Sequence, residues 1–385
     1  MKTSNSQSVK INNTNLVIEK LVELRETSRI DLSRETTLNK ATVSSIIQEL
    51  LDKNIVVETD RKFKTSGRSA KVIVLNKNAG RILSIELQTE AVYGVITNLY
   101  GEVLFETTNE ADTPEFSSYL KVLLYTIDEL KNNTYDSTYG VIGIGIGVYG
   151  ILSKNKKIKY APFSSWKDIE LKKIIEDYTG IKTYVENEAN ISALGENIVY
   201  VNQQNIVSLN IGIGVGMGII IDKNLYTGED GYAGEIGHTI LVPNGKECVC
   251  GNKGCLEKYI SDSGITDRYK ELSNESISVK EFVIRVKMND INATKVYKEF
   301  INNMGITINN ISLTINPQTI VINSYIVENI PESISLIKNQ LRSKIMKLDV
   351  LTVSKYKSKR NILGLTHELI QDFLEIDNYK INPSK

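Results

Sequence analysis

The 385-residue sequence lacks several features that would assign it to other classes of protein. No apolar run approaches the roughly 18 residues that a membrane-spanning helix needs, and residues 1–13 are polar, unlike a secretory signal. Cysteine is scarce, and the three cysteines all lie between residues 248 and 255, so they cannot pair completely in disulfides. We therefore expect neither a membrane protein nor a disulfide-stabilised secreted protein, but a cytoplasmic one.

A net charge is also absent, because 46 basic residues balance 46 acidic ones. The balance is uneven along the chain: residues 1–80 contain 14 Lys and Arg against 9 Asp and Glu. This segment therefore carries about +5 and the remainder about −5. A basic N-terminal segment on an acidic body is typical of a protein that contacts nucleic-acid phosphates with one end only.

Hydrophobic periodicity predicts three helices before residue 54. Val17 and Leu21 belong to the apolar stripe of the first helix, and Ser28 with Asp31 forms a capping-box pattern that opens the second. Asn39 is a favourable N-cap for the third. That helix would bury one apolar face, formed by Val43, Ile46, Ile47, Leu50 and Leu51.

The opposite face of the third helix is polar, as expected of a helix that meets base edges and phosphates. Its candidate DNA-contacting residues are Asn39, Lys40, Thr42, Ser44, Ser45 and Gln48. Two β-rich runs, 55–58 and 71–75, then flank a basic loop containing Arg68, which is the layout of a wing on the DNA backbone. The pattern predicts a winged helix-turn-helix DNA-binding domain over residues 1–80. The alternative is a small helical interaction module with a solvated polar face.

Residues 28–45 resemble the helix-turn-helix of bacterial repressors in the ROK family (repressors, open reading frames and kinases). The sequence departs from the family at the turn, where Thr36 and Thr37 stand in place of the glycine that many members use for a positive φ. The resemblance implies DNA binding, and the departure predicts a turn that is either slightly strained or differently shaped.

From residue 81 onward, apolar β-rich runs alternate with glycines and helical patterns. We predict strands over 81–87, 92–98, 102–106, 141–148, 207–218 leading into 219–221, and 319–323. Predicted helices cover 116–131, 296–313, 333–346 and 365–375. Residues 81–370 resemble the ROK kinase body, which implies an α/β, two-lobed, actin-like (ribonuclease H-like) fold. The expected lobes are residues 81–195 and 196–385, with the last helix returning to the first lobe.

The kinase resemblance fails at the phosphate site. Kinases of the family carry an Asp-x-Gly-Gly-Thr type of turn there, where bare backbone approaches ATP. This sequence has Gln88 and Glu90 in that turn, which add a side chain and a negative charge. No GxxxxGK[ST] loop occurs elsewhere. We therefore expect that ATP binding is lost and that the protein is not an enzyme.

The sugar side of the resemblance is better preserved. It implies that Asn187 binds sugar hydroxyls and that Glu188 occupies the position of the catalytic acid, where the kinases have the shorter Asp. Glu188 could instead be an acid favoured in the first turn of a helix. The family's signature segment implies further sugar contacts by Glu235 and His238, and Glu257 matches another. Clustered carboxylates and amides suit a polyol.

One imidazole and three thiols lie within eighteen residues: His238, Cys248, Cys250 and Cys255. Zinc takes such a Cys3His set tetrahedrally, and a closed set of protein ligands makes the metal structural. Reduced cysteines in a core are a poor alternative because polar residues surround them. The spacing also resembles the zinc loop of ROK proteins. If His238 binds zinc through one ring nitrogen, the other can meet a sugar hydroxyl.

These expectations combine into a sugar-responsive repressor that binds operator DNA as a homodimer and leaves it when a sugar binds. The length, the Asn-Glu-Ala-Asn segment and the zinc loop resemble the xylose-responsive ROK repressors of Gram-positive bacteria, which implies xylose as the inducer. Two alternatives remain: an ATP-dependent sugar kinase with an added DNA-binding domain, and a DNA-binding adaptor controlled by a protein partner.

Overall fold

The structure, a computed structural model, describes residues 3–63, 70–111, 115–161, 166–200, 202–357 and 359–376. The chain forms two compact units. Unit 1 contains Met1–Gly150, Lys156–Glu186 and Ile362–Lys385, and unit 2 contains Ile151–Asn155 and Asn187–Asn361. Among the described residues, no helix has both the length and the apolar character that crossing a membrane requires.

Unit 1 begins with a winged helix-turn-helix. Its elements are α1 (Thr3–Leu24), α2 (Arg29–Thr36), α3 (Lys40–Asp52), β1 (Val56–Phe63) and β2 (Ala70–Leu75). Ser28 Oγ accepts a hydrogen bond from the Asp31 amide at 3.2 Å, and Asn39 Oδ1 accepts one from the Thr42 amide at 2.8 Å. Both predicted helix caps are therefore confirmed, and β1 pairs with β2 in antiparallel fashion as a wing requires.

The turn between α2 and α3 is strained at Thr37, whose φ is 58°. A β-branched residue rarely adopts this left-handed conformation, which costs about 1–2 kcal/mol for a residue with a Cβ. We expect Thr37→Gly to raise the free energy of unfolding by about 1 kcal/mol, measured by urea denaturation of the whole chain. Thr37→Ala keeps the Cβ and is the control, expected to gain much less. Equal stability of the three proteins would contradict the strain.

Beyond the wing, the elements follow in chain order: β3 (Arg81–Leu87), β4 (Ala91–Thr97), β5 (Val103–Glu110), α4 (Phe116–Asn132), β6 (Val141–Val148), β7 (Ile151–Leu152), β8 (Ile158–Tyr160), α5 (Leu171–Thr179), β9 (Thr183–Asn187), α6 (Glu188–Val199), β10 (Ile206–Ile211), β11 (Val215–Ile221), β12 (Asn224–Leu225), a 3-10 turn (Ile236–His238), α7 (Glu257–Ile260), α8 (Asp262–Ser273), α9 (Val279–Lys287), α10 (Ile291–Thr314), β13 (Thr319–Ser324), α11 (Tyr325–Asn329), α12 (Ser333–Gln340), β14 (Val350–Val353) and α13 (Lys359–Leu374).

The described residues of each unit contain one five-stranded sheet, with the strand orders β5-β4-β3-β6-β9 in unit 1 and β12-β11-β10-β13-β14 in unit 2. In unit 1, β3 pairs antiparallel with β4 and parallel with β6. In unit 2, β10 pairs antiparallel with β11 and parallel with β13. The two sheets thus repeat one pattern of pairing, which confirms the predicted α/β class.

Glycines in each sheet let a helix pack closely on it. A Cβ added at Gly143 of β6 would lie 2.7 Å from Leu369 Cδ2 on α13. In unit 2, a Cβ at Gly218 of β11 would lie 2.2 Å from the carbonyl oxygen of Ala189 on α6. Position 218 therefore needs glycine because the backbone of α6 occupies the space of a side chain, whereas Gly143 faces only the end of the Leu369 side chain.

The structure corrects three sequence-based expectations. The run 207–218 is not one strand but the hairpin β10–β11, which turns where the Gly212 amide bonds the Gly214 carbonyl at 3.0 Å. The helix predicted over 333–346 ends at Gln340, because Leu341 packs against the core in an extended conformation, with φ −79° and ψ 101°. The lobe boundary expected at residue 195 falls inside α6, which belongs to unit 2 because it packs on β11.

Candidate functional site

The polar face of α3 is available to a partner. Lys40, Ser45 and Gln48 are exposed and Thr42 and Ser44 are half-buried, whereas the Asn39 side chain is committed to capping the helix. Gln48 Nε2 donates to Asp52 Oδ1 at 2.9 Å. The predicted wing contact Arg68 lies outside the described residues. A role of the α3 residues and of Arg68 in binding DNA stays a prediction.

Lys40 is the basic residue on this face, and its side chain is exposed. Arg29, Arg34 and Arg61 each form an ion pair with an acidic residue of the same domain. Among the described residues, Lys40 forms none, and it occupies the first position of α3. Its ammonium group is thus available for a phosphate, without the need to break an existing ion pair.

The four predicted zinc ligands come together in unit 2. One ligand atom from each of His238, Cys248, Cys250 and Cys255 lies within 4.8 Å of the others. Cys248 Sγ is 3.6 Å from His238 Nδ1, and Cys250 Sγ is 3.6 Å from Cys255 Sγ. Tetrahedral ligands at zinc–sulfur distances of about 2.3 Å are about 3.8 Å apart, so the set fits the metal. The chain thus carries a cluster that could hold a metal ion.

The thiolate form of Cys255 is unfavourable without a nearby cation. Burial, followed by hydrogen bonds with Cys250 and Cys248, raises the pKa of Cys255 to about 12. A bound metal ion favours the thiolate and removes this penalty. Since His238 faces the thiols through Nδ1, its Nε2 points away from them. No hydrogen bond joins Nε2 to another described residue of the protein.

The cluster joins two segments that carry predicted sugar ligands. The Leu256 amide donates to the Thr239 carbonyl at 2.9 Å, and Ile240 forms an isolated β-bridge with Cys255. Glu235 precedes the first segment's metal ligand by three residues, and Glu257 follows the second segment's ligand by two. A metal in this cluster would therefore fix the position of Glu235 relative to Glu257.

The segments that carry Glu235 and Glu257 are both held against β11. Gly234 has a φ of 94°, and a Cβ there would lie 1.9 Å from the Met217 carbonyl oxygen, so the segment docks tightly on β11. Glu257 Oε2 accepts a hydrogen bond from the Val215 amide at 3.3 Å. Burial raises the pKa of Glu235; the nearby His238 opposes this effect and Glu257 adds to it. These three side chains therefore share one site.

Asn187 and Glu188 lie at the N-terminus of α6. Asn187 Oδ1 caps the helix, accepting from the Ala189 amide at 2.8 Å. Glu188 Oε1 accepts a hydrogen bond from Asn361 Nδ2 at 3.2 Å and lies 4.0 Å from Arg360 Nη2. Glu188 thus lies in the first turn of a helix, where an acid is favoured, and its carboxylate also has Asn361 and Arg360 as specific partners.

Both groups of predicted sugar residues lie next to β11. Ala189, next to Glu188, packs on Gly216, where an added Cβ would lie 3.0 Å from the Ala189 Cβ. Gly216 follows Val215, whose amide holds Glu257. Sequence analysis missed Arg360 and Asn361, for which no motif gave a signal. A sugar-binding role of this site stays a prediction, as does the identity of the metal.

Comparison with known proteins decides the family. The model of the ROK family matches residues 82–371. The chain belongs to the ROK family. The xylose repressor of Bacillus spizizenii is 32% identical over 385 residues, covering 98% of this chain and 99% of the relative. A solved ROK family transcriptional regulator, described as a homologue of the Escherichia coli MLC protein, matches with a TM-score of 0.80 and 27% identity over 95% of this chain and 96% of that one.

A ROK kinase shares the fold of the body. The ROK glucokinase of Streptomyces griseus, solved with glucose and AMPPNP, matches with a TM-score of 0.67 and 20% identity, covering 75% of this chain and 99% of that one. This likeness confirms the two-lobed, actin-like kinase fold. In this ROK protein the β3–β4 turn has exposed side chains at Gln88 and Glu90, where the kinase resemblance requires bare backbone.

A buried acid beside the β10–β11 turn gives a pH-dependent prediction. The Asp262 amide donates to the Gly212 carbonyl at 2.8 Å, but the Asp262 Oδ1 atom is buried and has no hydrogen-bond partner among the described residues. Burial raises the pKa of Asp262 to about 6, from an ordinary value of 3.8. The neutral form is thus favoured in the folded protein, and the stability that Asp262 contributes at low pH is lost as the pH rises through about 6.

We expect Asp262→Asn to remove this loss, so that its stability relative to the wild type increases between pH 4 and pH 7 by up to about 2–3 kcal/mol. Urea denaturation at several pH values measures the difference. Asp267→Asn changes an exposed acid of the same helix and is the control. An equal pH dependence of the wild type and Asp262→Asn would contradict the assignment.

Proposed function

We propose that this ROK protein is a sugar-responsive transcriptional repressor, released from operator DNA when xylose binds to unit 2. The observation that carries the proposal is that one chain joins a winged helix with an exposed polar recognition face to the clustered Asn187, Glu188, Glu235, His238 and Glu257. A relative named a xylose repressor that aligns over 98% of the chain supports it. A homodimer on paired half-sites, acting in the cytoplasm, is part of the proposal.

The site suits a polyol because its groups can accept and donate hydrogen bonds in fixed directions. The carboxylates of Glu235 and Glu257 would accept from hydroxyl groups, and His238 would meet one through Nε2. The proposed zinc ion, held by His238 and the three cysteines, supplies a rigid cross-link and no chemical step, because four protein ligands leave no open position.

We further propose that the protein does not phosphorylate its sugar. Gln88 and Glu90 occupy the turn where the kinase resemblance requires bare backbone. Glu188, at the position of the catalytic acid, lies beside Arg360 and Asn361. Glu is one methylene longer than the Asp of the kinases, which displaces the carboxylate from the alignment that a proton transfer requires. A kinase assay with ATP and each sugar tests this point, and turnover would favour the kinase alternative.

The deciding experiment is a fluorescence-anisotropy titration of the zinc-loaded protein on its own upstream promoter DNA. Xylose, glucose, N-acetylglucosamine and ATP are added separately. We expect xylose to release the DNA and ATP to have no effect. Tight DNA binding that no sugar alters would contradict sugar sensing and favour an adaptor controlled by a protein partner.

Two variants are expected to separate the functions. Lys40→Ala should weaken DNA binding about 5–10-fold, with no change in sugar affinity. The slope of the logarithm of DNA affinity against the logarithm of salt concentration should fall by about one. Glu235→Ala should weaken sugar binding by about 10-fold or more and leave sugar-free DNA binding intact. The anisotropy titration on DNA measures the first effect, and a titration of each variant with sugar measures the second. Loss of both affinities in either variant would contradict the separation of the sites.

A further inference from the structure

The carboxylate of Glu188 is held at one of its two oxygens. Oε1 accepts from Asn361 Nδ2 at 3.2 Å and lies 4.0 Å from Arg360 Nη2. No hydrogen bond joins Oε2 to another described residue. The side chains of Glu188 and Arg360 are only 17% and 15% exposed, so water screens their attraction less than at an open surface.

Arg360 is itself fixed on several sides. Its Nε donates to Ser192 Oγ at 3.0 Å, and its Nη1 donates to the Lys357 carbonyl. Its own carbonyl oxygen lies over Gly195, where an added Cβ would be 2.1 Å away. Ser192 is fully buried and bonds to a polar group of three further residues, Ser208, Asn210 and Asn323.

This network makes Arg360 a rigid support. Asn323 Nδ2 donates to Ser208 Oγ at 2.8 Å and to Asn210 Oδ1 at 2.7 Å. The three residues that bond to Ser192 are therefore also bonded to one another. Buried polar groups that bond one another specify one arrangement of their side chains. Two donors of the guanidinium thus have partners other than Glu188, and these contacts fix the position from which it orients the carboxylate.

We propose that Arg360 and Asn361 are positioning residues that hold Glu188 Oε1, so that Oε2 is presented to a hydroxyl group of the bound sugar. The inference rests on the proposed sugar-binding function and adds the residues that orient one of its ligands. The longer side chain of Glu188, relative to the Asp of the kinases, is what reaches Asn361. In this arrangement Glu188 binds the sugar as a hydrogen-bond acceptor.

The test is calorimetric titration of the full-length, zinc-loaded protein with xylose, and with glucose and N-acetylglucosamine in parallel. We expect Arg360→Met to weaken sugar binding about 10-fold and Arg360→Lys to recover part of the loss. In a Glu188→Gln background, Arg360→Met should cost less than a further twofold, because its effect passes through Glu188. Arg268→Met, which removes an arginine paired with Glu299 on the same unit, is the control and should bind sugar normally.

The outcomes separate this inference from the proposed function. A wild-type protein that binds none of the sugars overturns the function and the inference together. A wild type that binds sugar, with an unchanged affinity in Arg360→Met or with independent effects of the Arg360 and Glu188 changes, overturns the inference alone. Thermal unfolding and sugar-free DNA binding are measured in parallel, and Arg360→Lys keeps the test decisive if Arg360→Met is unstable.

A different observation, within unit 1, carries a second inference. The hydroxyl of Tyr139 donates to the carbonyl oxygen of Lys53 at 2.7 Å, and Lys53 is the C-cap of the recognition helix α3. The ring of Tyr139 also packs edge-on against Phe373 of α13, with ring centroids 5.3 Å apart. Tyr139 thus connects the end of α3 with the C-terminal part of α13, whose N-terminal residues are Arg360 and Asn361.

We infer that Tyr139 transmits the sugar response to the recognition helix. The inference rests on the proposed function and names the contact through which α13 acts on α3. Tyr139→Phe removes one hydroxyl group and keeps the ring contact with Phe373. We expect the affinities for sugar-free DNA and for sugar to change less than threefold. The sugar-induced drop in DNA affinity should shrink at least fivefold.

Tyr135→Phe is the matched control, because Tyr135 lies in the same segment and is 68% exposed. The same anisotropy titration, with and without xylose, measures all three proteins. A sugar-induced drop in Tyr139→Phe equal to that of the wild type overturns this inference. A wild type whose DNA binding does not respond to any sugar overturns the proposed function as well. A normal response in Tyr135→Phe shows that a loss in Tyr139→Phe does not come from changing any tyrosine of this segment.

Discussion

Gly218→Ala is expected to lower the free energy of unfolding by about 3 kcal/mol and to weaken sugar binding by more than 10-fold. The added Cβ would lie 2.2 Å from the Ala189 carbonyl oxygen and 2.5 Å from the Ala193 Cβ, both on α6. Neither atom belongs to a flexible side chain, so the whole helix must shift. Because α6 begins with Glu188 and is capped by Asn187, the shift displaces two proposed sugar ligands.

Gly212→Ala is the matched control from the same glycine-rich segment. An added Cβ at Gly212 meets no atom within 4 Å. Its stability should therefore stay within about 0.5 kcal/mol of the wild type. Urea denaturation and sugar titration of both variants measure the difference. Similar losses in the two variants, or a Gly218→Ala protein as stable as the wild type, would show that α6 does not pack on β11 in this way.

The glycine-rich segments illustrate what the sequence could not predict. Residues 141–148 and 207–218 look alike, yet the first is one strand and the second contains a hairpin. A glycine can allow a turn, a ligand or a packed helix, and only the neighbouring chain decides which. Gly218 faces α6, so packing explains the glycine at this position of the run.

Local signals were read correctly because adjacent residues determine them. Ser28 and Asn39 cap α2 and α3 through amides three residues away, and of the two alternatives for the turn, strain or a different shape, the positive φ of Thr37 supports strain. The partners of Glu188 could not be found in this way. Asn361 lies 173 residues from Glu188 along the chain, and nothing in the residues around it indicates that the fold brings the two together.

Removal of the proposed zinc ion is the second change for which we expect a large effect. Cys250→Ser should abolish metal binding, lower the free energy of unfolding by several kcal/mol, and weaken sugar binding at least 10-fold. The physical reason is that the cluster joins the segment of Glu235 to that of Glu257. Atomic absorption, thermal unfolding and sugar titration measure the three effects, and a chelator should reproduce them in the wild type.

Val249→Ser is the control, because Val249 is the neighbour of Cys250 and is 77% exposed without belonging to the cluster. Its metal content and sugar affinity should match those of the wild type. The winged helix contains none of the four ligands, so Cys250→Ser should keep its affinity for sugar-free DNA while losing the response to sugar. A Cys250→Ser protein that retains stoichiometric metal and full sugar affinity would contradict the cross-link. The organisation of the sugar site would then have to come from the docking of Gly234 on β11 alone.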